Sequence, residues 1–402
     1  MFRYLDQLIA EDIQHKLVIL TGPRQVGKTT LGKNLRARYP ERFASSQYLN
    51  YDILPDRAIL AKQSWAADRD LLVLDELHKM PDWKPWLKGV ADARAANAGT
   101  AQEGKPAILV TGSARMDTFT QSGESLAGRY FHWRMHPLSV YELMEHASKE
   151  IAPSADAAMR RLLERGGFPE PCLAATERSA KRWRQSYIEG LIREDIVEIS
   201  RVQEINTMRV FLQALRSRTG SPLSIASIAR DMSVSPVTLR RYLDILEALY
   251  IVFTVRPWHL NIARATLQSP KVYFYDTGLV DGDAGAKFEN LVACHLLKFV
   301  HWQQDSEGAT TALHYIRTKD EAEVDFCLSD GEGDKVHLTH LIECKTSDTR
   351  PHRALQRFAA QWPKVQAVQL VANAAQDEDL AQDDDAVIRL RQAAPWLHQL
   401  GV

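Results

Sequence analysis

Residues 17–20 read LVIL, an apolar run suited to a strand buried on both faces. It leads directly into TGPRQVGKTT and then into LGKNLRARY, an apolar-periodic helix. YLNYD, LLVLDE, AILVTG and YFHWRM are further buried-strand candidates, separated by helical patterns or polar loops. Strands alternating with helices over roughly the first 135 residues predict an α/β layer built on a parallel sheet. AADARAANAGTAQEGKPA, rich in Ala and Gly, predicts a helix end running into an exposed loop. After His136-Pro137-Leu138 the strand signal stops, and residues 139–205 read as helical around a GGFPEP turn at 166–171. SPLSIASIARDMSVSPVTLRRYLDILEAL continues as helix, turn, helix, and YIVFTVRPW follows as a strand. From residue 276 the pattern changes again: a turn-rich DGDAGA, an amphipathic KFENLVACHLLKFV, then three short strands, LHYIRT, EVDFCLS and HLIECK.

Length and composition add bounds. A chain of 402 residues suggests about two to four domains. At 45% hydrophobic and 25% charged residues it has the balance of a globular protein, which excludes a mostly disordered or fibrous chain. No run approaches the ~18 apolar residues of a membrane-spanning helix. The start, MFRYLDQLIAEDIQHK, places acids where a signal peptide needs its apolar core. Cys172, Cys294, Cys327 and Cys344 lie far apart and form no CxxC pair, against a disulfide framework or zinc knuckle and in keeping with a reducing cytoplasm.

The net charge of −1 argues against nonspecific coating of nucleic acid by the whole chain. Charge is segregated locally, however. Arg201 to Lys271 also carries Arg209, Arg216, Arg218, Arg230, Arg240, Arg241, Arg256 and Arg264, against Glu204, Asp231, Asp244 and Glu247. One patch for a nucleic-acid partner is therefore permitted. AQDEDLAQDDDA, near the end, is expected to be a solvated loop or tail.

The chemistry begins at Gly22-Pro23-Arg24-Gln25-Val26-Gly27-Lys28-Thr29, followed by Thr30, a complete GxxxxGK[ST] between strand and helix. The glycines let backbone N–H groups turn inward around the phosphates of ATP, and the helix N-terminus adds partial positive charge. Lys28 is expected to reach the β- and γ-phosphates, and Thr29 to join the Mg²⁺ shell. LLVLDE ends a buried strand in Asp75-Glu76: Asp75 is expected on the Mg²⁺, Glu76 as the group that orients or deprotonates the attacking water. AILVTGSAR ends in Ser113, a candidate for touching the γ-phosphate or the water, with Thr111 as its rival. Arg129 closes a helix before a strand, the position of an arginine acting in trans on a neighbour's nucleotide in ring-forming ATPases.

Together TGPRQVGKTT, LDELHK, TGSAR and SLAGRYFHWRMHPLSVYEL resemble the AAA+ ATPases that carry a DUF4143 C-terminal region. GGFPEP and IREDI resemble that family's lid and linker, with Arg193 the candidate lid sensor. The C-terminal half resembles a winged helix followed by a PD-(D/E)xK nuclease-like domain. The resemblance implies a P-loop AAA+ core at 1–138, a helical lid and linker at 139–205, a winged helix at 206–275 and an α/β nuclease-like domain at 276–402.

In the middle segment, Ser233 or Ser235 caps the second helix and Pro236 fits its first turn. Arg240 and Arg241 lie on or beside its exposed face with Thr238, placed for DNA phosphates or guanine edges. Tyr242, Leu243, Ile245 and Leu246 supply the packing face. Further on, Glu289, Asp325 and Glu343-x-Lys345 resemble the nuclease core: Glu289, Asp325 and Glu343 as ligands of Mg²⁺ or Mn²⁺, and Lys345 positioning the water or neutralising charge. Glu323 shares a strand face with Asp325 and is a reserve ligand. Thr346 and Gln356 are weaker candidates for substrate contacts.

The reading that unites these motifs is an oligomeric ATP-hydrolysing protein, expected as a cytoplasmic hexameric ring, that binds and remodels branched or duplex DNA without a membrane partner. Two alternatives stand beside it. One is an ATP-dependent signalling or scaffold switch whose nuclease-like domain only binds protein or RNA; the other is an ATP-gated metal nuclease.

Overall fold

The apolar runs become strands of two sheets. The structure, a computed structural model, describes residues 1–66, 68–97, 104–112, 126–192, 202–259, 269–381 and 386–402. Ser113 and Arg193 lie outside the described residues. The chain divides into two units, Met1–His136 and Pro137–Val402.

In the first unit, α1 (Asp6–His15) precedes β1 (Leu17–Thr21), and the glycine-rich loop links β1 to α2 (Lys28–Arg38). Then come β2 (Ser46–Asn50), α3 (Leu54–Lys62), β3 (Leu71–Asp75), α4 (Trp83–Ala95), β4 (Ala107–Thr111) and β5 (Tyr130–Arg134). The five strands are parallel in the order β2-β3-β4-β1-β5. Every residue of β1, β3 and β4 is buried, whereas β2 and β5, at the edges, are largely half-buried. This is the α/β parallel sheet the alternation predicts, since a parallel sheet must be covered on both faces. On one face Leu17, Ile19, Leu72, Leu74, Ile108 and Val110 pack against Trp83, Leu87 and Val90 of α4. Register places Asn50 beside Asp75 and Asp75 beside Thr111, which brings three polar residues to the carboxyl edge of the sheet.

The second unit opens with helices α5 (Val140–His146), α6 (Ala155–Arg165), α7 (Pro169–Leu173), α8 (Glu177–Leu191), α9 (Val202–Arg216), α10 (Ile225–Asp231) and α11 (Pro236–Ala248). The expected border at 205/206 falls inside α9. Of the two capping candidates, Ser235 caps α11, accepting from the Thr238 amide, with Pro236 in the first turn. Tyr242, Leu243, Ile245 and Leu246 are buried, and Arg240 and Arg241 are exposed.

Strands β6 (Val252–Pro257) and β7 (Lys271–Phe274) form an antiparallel pair, followed by the long helix α12 (Ala284–Glu307). Then come β8 (Ala312–Arg317), β9 (Glu323–Asp330), β10 (His337–Lys345), α13 (Arg353–Gln361), β11 (Gln366–Val371), β12 (Glu378–Ala381), β13 (Val387–Gln392) and α14 (Ala393–Gln399). The sheet runs β12-β13-β11-β10-β9-β8-β6-β7, so it continues across the expected border at 275/276. The join is the parallel pairing of Arg256 and Pro257 with His314 and Tyr315. The acidic segment expected as loop or tail is in part an edge strand, β12, paired with β13. Its charges fit there because an edge strand keeps its side chains in water.

Helix α12 also anchors the start of this unit. His295 accepts from the Val140 amide through Nε2 at 3.0 Å, and its Nδ1 lies 2.8 Å from the Leu291 carbonyl. Lys298 donates to Ser139 Oγ at 3.1 Å and pairs with Glu142, and both charged side chains are buried. All four cysteines are free thiols. No helix among the described residues is long and apolar enough to cross a membrane.

Candidate functional site

The loop of residues 22–27 is shaped by positive φ angles at Gly22 (138°), Gln25 (62°) and Gly27 (111°). A Cβ on Gly22 would lie 2.3 Å from the carbonyl oxygen of Met135, the residue after β5, so only glycine lets the loop pass this close to the end of that strand. Arg3 braces the far side, donating to the carbonyls of Val26 and His136 at 2.6 Å each. Gly27 is the N-cap of α2, which leaves the first amides of that helix pointing into the loop. Lys28, only 7% exposed, curls back and donates to the carbonyls of Gly22 at 2.8 Å and Pro23 at 2.7 Å. Its ammonium is thus held at the centre of the loop.

Asp75 is the hub. Its Oδ2 accepts from Thr29 Oγ1 at 2.8 Å and from the Tyr48 hydroxyl at 2.6 Å, while Thr111 Oγ1 donates to its Oδ1. The carboxylate, 3% exposed, is thereby fixed at the carboxyl end of β3 facing the first residues of α2. Burial, then the hydrogen bond to Asp75, raises the Tyr48 phenol well above its usual range, so it stays a donor. Glu76 follows in a left-handed conformation (φ 57°), and its amide donates to the Thr111 carbonyl at 3.1 Å. That φ is uncommon for a non-glycine residue and turns the Glu76 side chain off the line of the strand. Its carboxylate lies 3.4 Å from Lys79 Nζ and 3.7 Å from His78 Nε2. The structure therefore brings Lys28, Thr29, Asp75 and Glu76 to one edge of the sheet. Thr111, the rival of Ser113, has its hydroxyl committed to Asp75.

Arg129 is at the opposite edge. It immediately precedes β5, whose Tyr130 pairs with Leu17 at the start of β1, about 15 Å of strand from the loop. Its Nε donates to Asp92 Oδ1 of α4 at 2.7 Å, and this pairing holds the Asp92 carboxyl below the usual range.

In the second unit, the predicted carboxylates do come together, but around lysines. Lys271 Nζ lies 3.2 Å from Glu289 Oε1, 2.7 Å from Glu323 Oε1 and 3.7 Å from Asp325 Oδ1. Tyr273 donates to the same Glu289 oxygen at 2.7 Å. Glu323 also pairs with Arg317 at 2.8 Å. Asp325 Oδ2 accepts from the Cys344 amide at 2.9 Å, and Glu343 Oε1 accepts from Lys345 at 2.7 Å with His352 Nδ1 at 3.1 Å. Burial, reinforced by the Asp325 charge, pushes the Glu289 carboxyl up to about 7 and that of Glu343 up to about 8. Among the described residues, no group of three or more His, Cys, Asp or Glu side chains is arranged to hold a metal ion. Glu289, Asp325 and Glu343 therefore do not fit a metal as they stand.

Sequence reasoning did not single out Tyr48 or Lys271. Tyr48 sits two residues before Asn50 on β2, paired with Val73, and its long side chain reaches along that face of the sheet to Asp75, two residues further on in β3. Lys271 counted only as the end of a basic stretch. A lysine two residues before a tyrosine in a short apolar strand, KVYF, is the signal that it shares a face with that tyrosine.

A five-stranded parallel sheet with this loop and this strand-end carboxylate defines a P-loop nucleotide-binding domain. Residues 14–144 match the AAA_14 family, an AAA domain, and residues 284–393 match DUF4143, a domain of unknown function. Residues 156–286 match DUF8612, likewise of unknown function. The chain therefore carries an AAA_14 domain followed by a DUF4143 domain.

It is 31% identical over 316 residues to the uncharacterized protein Rv2008c of Mycobacterium tuberculosis, an alignment that covers 77% of this chain and 66% of the relative. The same figures hold for the uncharacterized protein Mb2031c of Mycobacterium bovis, so the chain spans just under two thirds of the length of either relative. The uncharacterized protein MJ1544 of Methanocaldococcus jannaschii is 22% identical over 381 residues, covering 87% of this chain and 81% of its own. Among solved structures, AMPPCP-bound DnaA from Aquifex aeolicus matches at 13% identity and a TM-score of 0.27, over 60% of this chain and 85% of that one. A likeness that slight speaks to neither fold nor function.

Proposed function

We propose that this protein is an oligomeric ATPase that engages DNA, with nucleotide turnover in the first unit driving what the second unit does. The observation that carries the reading is the hydrogen bond from Thr29 to Asp75 beside Lys28, with Glu76 next in the chain. The residues fit ATP with magnesium: amides at the start of α2 for the phosphates, Lys28 for the β- and γ-phosphates, and Thr29 and Asp75 to hold the ion, which when bound neutralises phosphate charge. Lys28 would exchange its two loop carbonyls for phosphate oxygens. Glu76 would orient and deprotonate the water, with Lys79 and His78 setting where its carboxylate rests.

Arg129 sits too far along the strands to serve its own loop, which favours a role toward a neighbouring copy's nucleotide in a ring. To do so it would leave Asp92. Helices α10 and α11 followed by the β6–β7 pair have the element order of a winged helix. The exposed Arg240 and Arg241 on α11 are the groups we assign to DNA phosphates or base edges.

The test uses a labelled four-way DNA junction with ATP and Mg²⁺, read on native and denaturing gels beside phosphate release. Separation into intact duplex arms, with turnover stimulated by DNA and lost in Glu76→Gln, supports the proposal. ATP-dependent assembly indifferent to DNA would replace it with the scaffold reading.

A further inference from the structure

The C-terminal carboxylates resemble a metal-dependent nuclease core, yet a side chain of the chain itself lies among them. Lys271 is 1% exposed, and its ammonium is within 3.7 Å of Glu289, Glu323 and Asp325, which come from α12 and β9. Distances of 2.7 and 3.2 Å to Glu323 and Glu289 are those of charge-assisted hydrogen bonds. The lysine has little freedom to leave. On one side β7 pairs with β6, Lys271 opposite Val255. On the other, Lys271 bridges to Pro222, the Leu223 amide donates to the Pro270 carbonyl at 2.8 Å, and the Gly220 amide to the Val272 carbonyl at 3.2 Å. Its backbone is thus held along both edges.

The carboxylates are equally engaged. Glu289 is closed in by the Tyr273 hydroxyl and by Gly220, where a Cβ would come within 2.9 Å of its oxygens. Glu323 is shared with Arg317, one oxygen of Asp325 is taken by the Cys344 amide, and Glu343 is paired with Lys345. Three cations, Lys271, Arg317 and Lys345, thus face four carboxylates. A divalent ion ligated by Glu289 and Asp325 would need their oxygens at about 2.1 Å and would lie against the ammonium, an arrangement of like charges that a buried site strongly disfavours.

We propose that Lys271 is the resident cation of this site, holding the place among Glu289, Glu323 and Asp325 that a divalent metal would take, so that the second unit binds its partner without metal-dependent cleavage. The inference rests on the nuclease-like reading of residues 276–402. It makes Lys271 a positioning residue: it joins β7 to β9 and α12 and replaces a loaded ion with a permanent one.

The experiment is a Mn²⁺ titration of the full-length, nucleotide-free protein, followed by electron paramagnetic resonance, with thermal melts in Mn²⁺ and in EDTA. Wild type and Asp325→Asn should show the same Mn²⁺ binding, because this site contributes none. Lys271→Met frees the carboxylates, so it should gain Mn²⁺ affinity by about tenfold or more and melt higher in Mn²⁺ than in EDTA. Binding in wild type that Asp325→Asn removes overturns the proposal while leaving the nuclease-like reading intact. A folded Lys271→Met that gains no Mn²⁺ overturns the proposal and removes the nuclease-like reading with it. Should Lys271→Met fail to fold, the wild-type and Asp325→Asn pair still decides: equal Mn²⁺ binding and melts insensitive to EDTA support the resident lysine, and a difference overturns it.

Discussion

The hydroxyl of Thr29 donates to the carboxylate of Asp75 at 2.8 Å, tying the first turn of the helix after the loop to the end of a strand two positions away in the sheet. Asp75 has two further donors, Tyr48 and Thr111, so its position does not depend on this bond alone. Thr29→Val, which keeps the shape and removes the donor, should leave the fold intact and lower ATP turnover by about a hundredfold. Lys28→Ala should abolish nucleotide binding. Glu76→Gln should bind ATP normally and turn over slower by about 10²–10⁴-fold, the usual contribution of a positioned base. Fluorescent-nucleotide titration beside phosphate release separates the three. Normal turnover in Glu76→Gln would remove Glu76 from the role of base.

Arg129→Ala should spare ATP binding and lower hydrolysis by about 10³-fold or more, as expected for an arginine acting in trans. Mixing this variant with one that keeps Arg129 but lacks turnover through Glu76→Gln should restore part of the activity. Asp92→Ala should not reduce turnover, because it only releases the arginine. Loss of activity in Asp92→Ala equal to that in Arg129→Ala would mean that the pair is simply structural.

Arg240→Ala with Arg241→Ala should weaken DNA binding, and the slope of log affinity against log salt should fall by about one for each phosphate that is no longer neutralised. Fluorescence anisotropy at several salt concentrations reads both quantities. Unchanged affinity and slope would take DNA binding away from this helix.

Gly22→Ala should be costly for the loop without touching its chemistry. The added methyl would meet the Met135 carbonyl at 2.3 Å, and the residue would have to hold φ near 138°. A loss of about 2 kcal/mol or more in the first unit is expected, by calorimetry, with nucleotide binding impaired in proportion.

The pH dependence of the second unit should carry the mark of His295. Burial holds its imidazole down to about 4, well below its usual 6.5, and keeps it neutral between the Val140 amide and the Leu291 carbonyl. The unfolded chain takes up that proton first. Stability contributed by the neutral ring is therefore present above pH 6.5 and lost as pH falls toward 4, by on the order of 3 kcal/mol. His295→Gln should flatten this part of the melting-temperature profile. A profile identical to wild type would mean that other groups set it.

The first unit was legible because its signals are local. Strands buried on both faces are continuous apolar runs, and the loop carries its chemistry within eight residues. Strand register sets Thr111 beside Asp75 and places Tyr48 opposite Val73, from where its side chain reaches Asp75, and no single segment displays that pairing. In the second unit, Arg240 and Arg241 were read from helical spacing, and their exposure follows from Tyr242, Leu243 and Leu246 packing inward. The carboxylates were found by motif order, but their cation was not. Lys271 lies 18 residues from Glu289 and is buried only because β7 is clamped between β6 and the 220–223 segment. QAVQLV and VIRLRQ, strands β11 and β13, carry ordinary apolar signals that lie beyond the nuclease motif and went unread.

The pairing of β6 with β8 bears on how this protein can be dissected. A fragment stopped at residue 275 would carry β6 with its bonding edge toward β8 stripped bare, and one started at 276 would leave β8 in the same condition and Glu289, Glu323 and Asp325 without their lysine. Raw strand edges and orphaned charges are what make truncated proteins insoluble. Among the described residues, a cut between 136 and 137 severs no strand ladder, and that is where a usable half of this chain would begin.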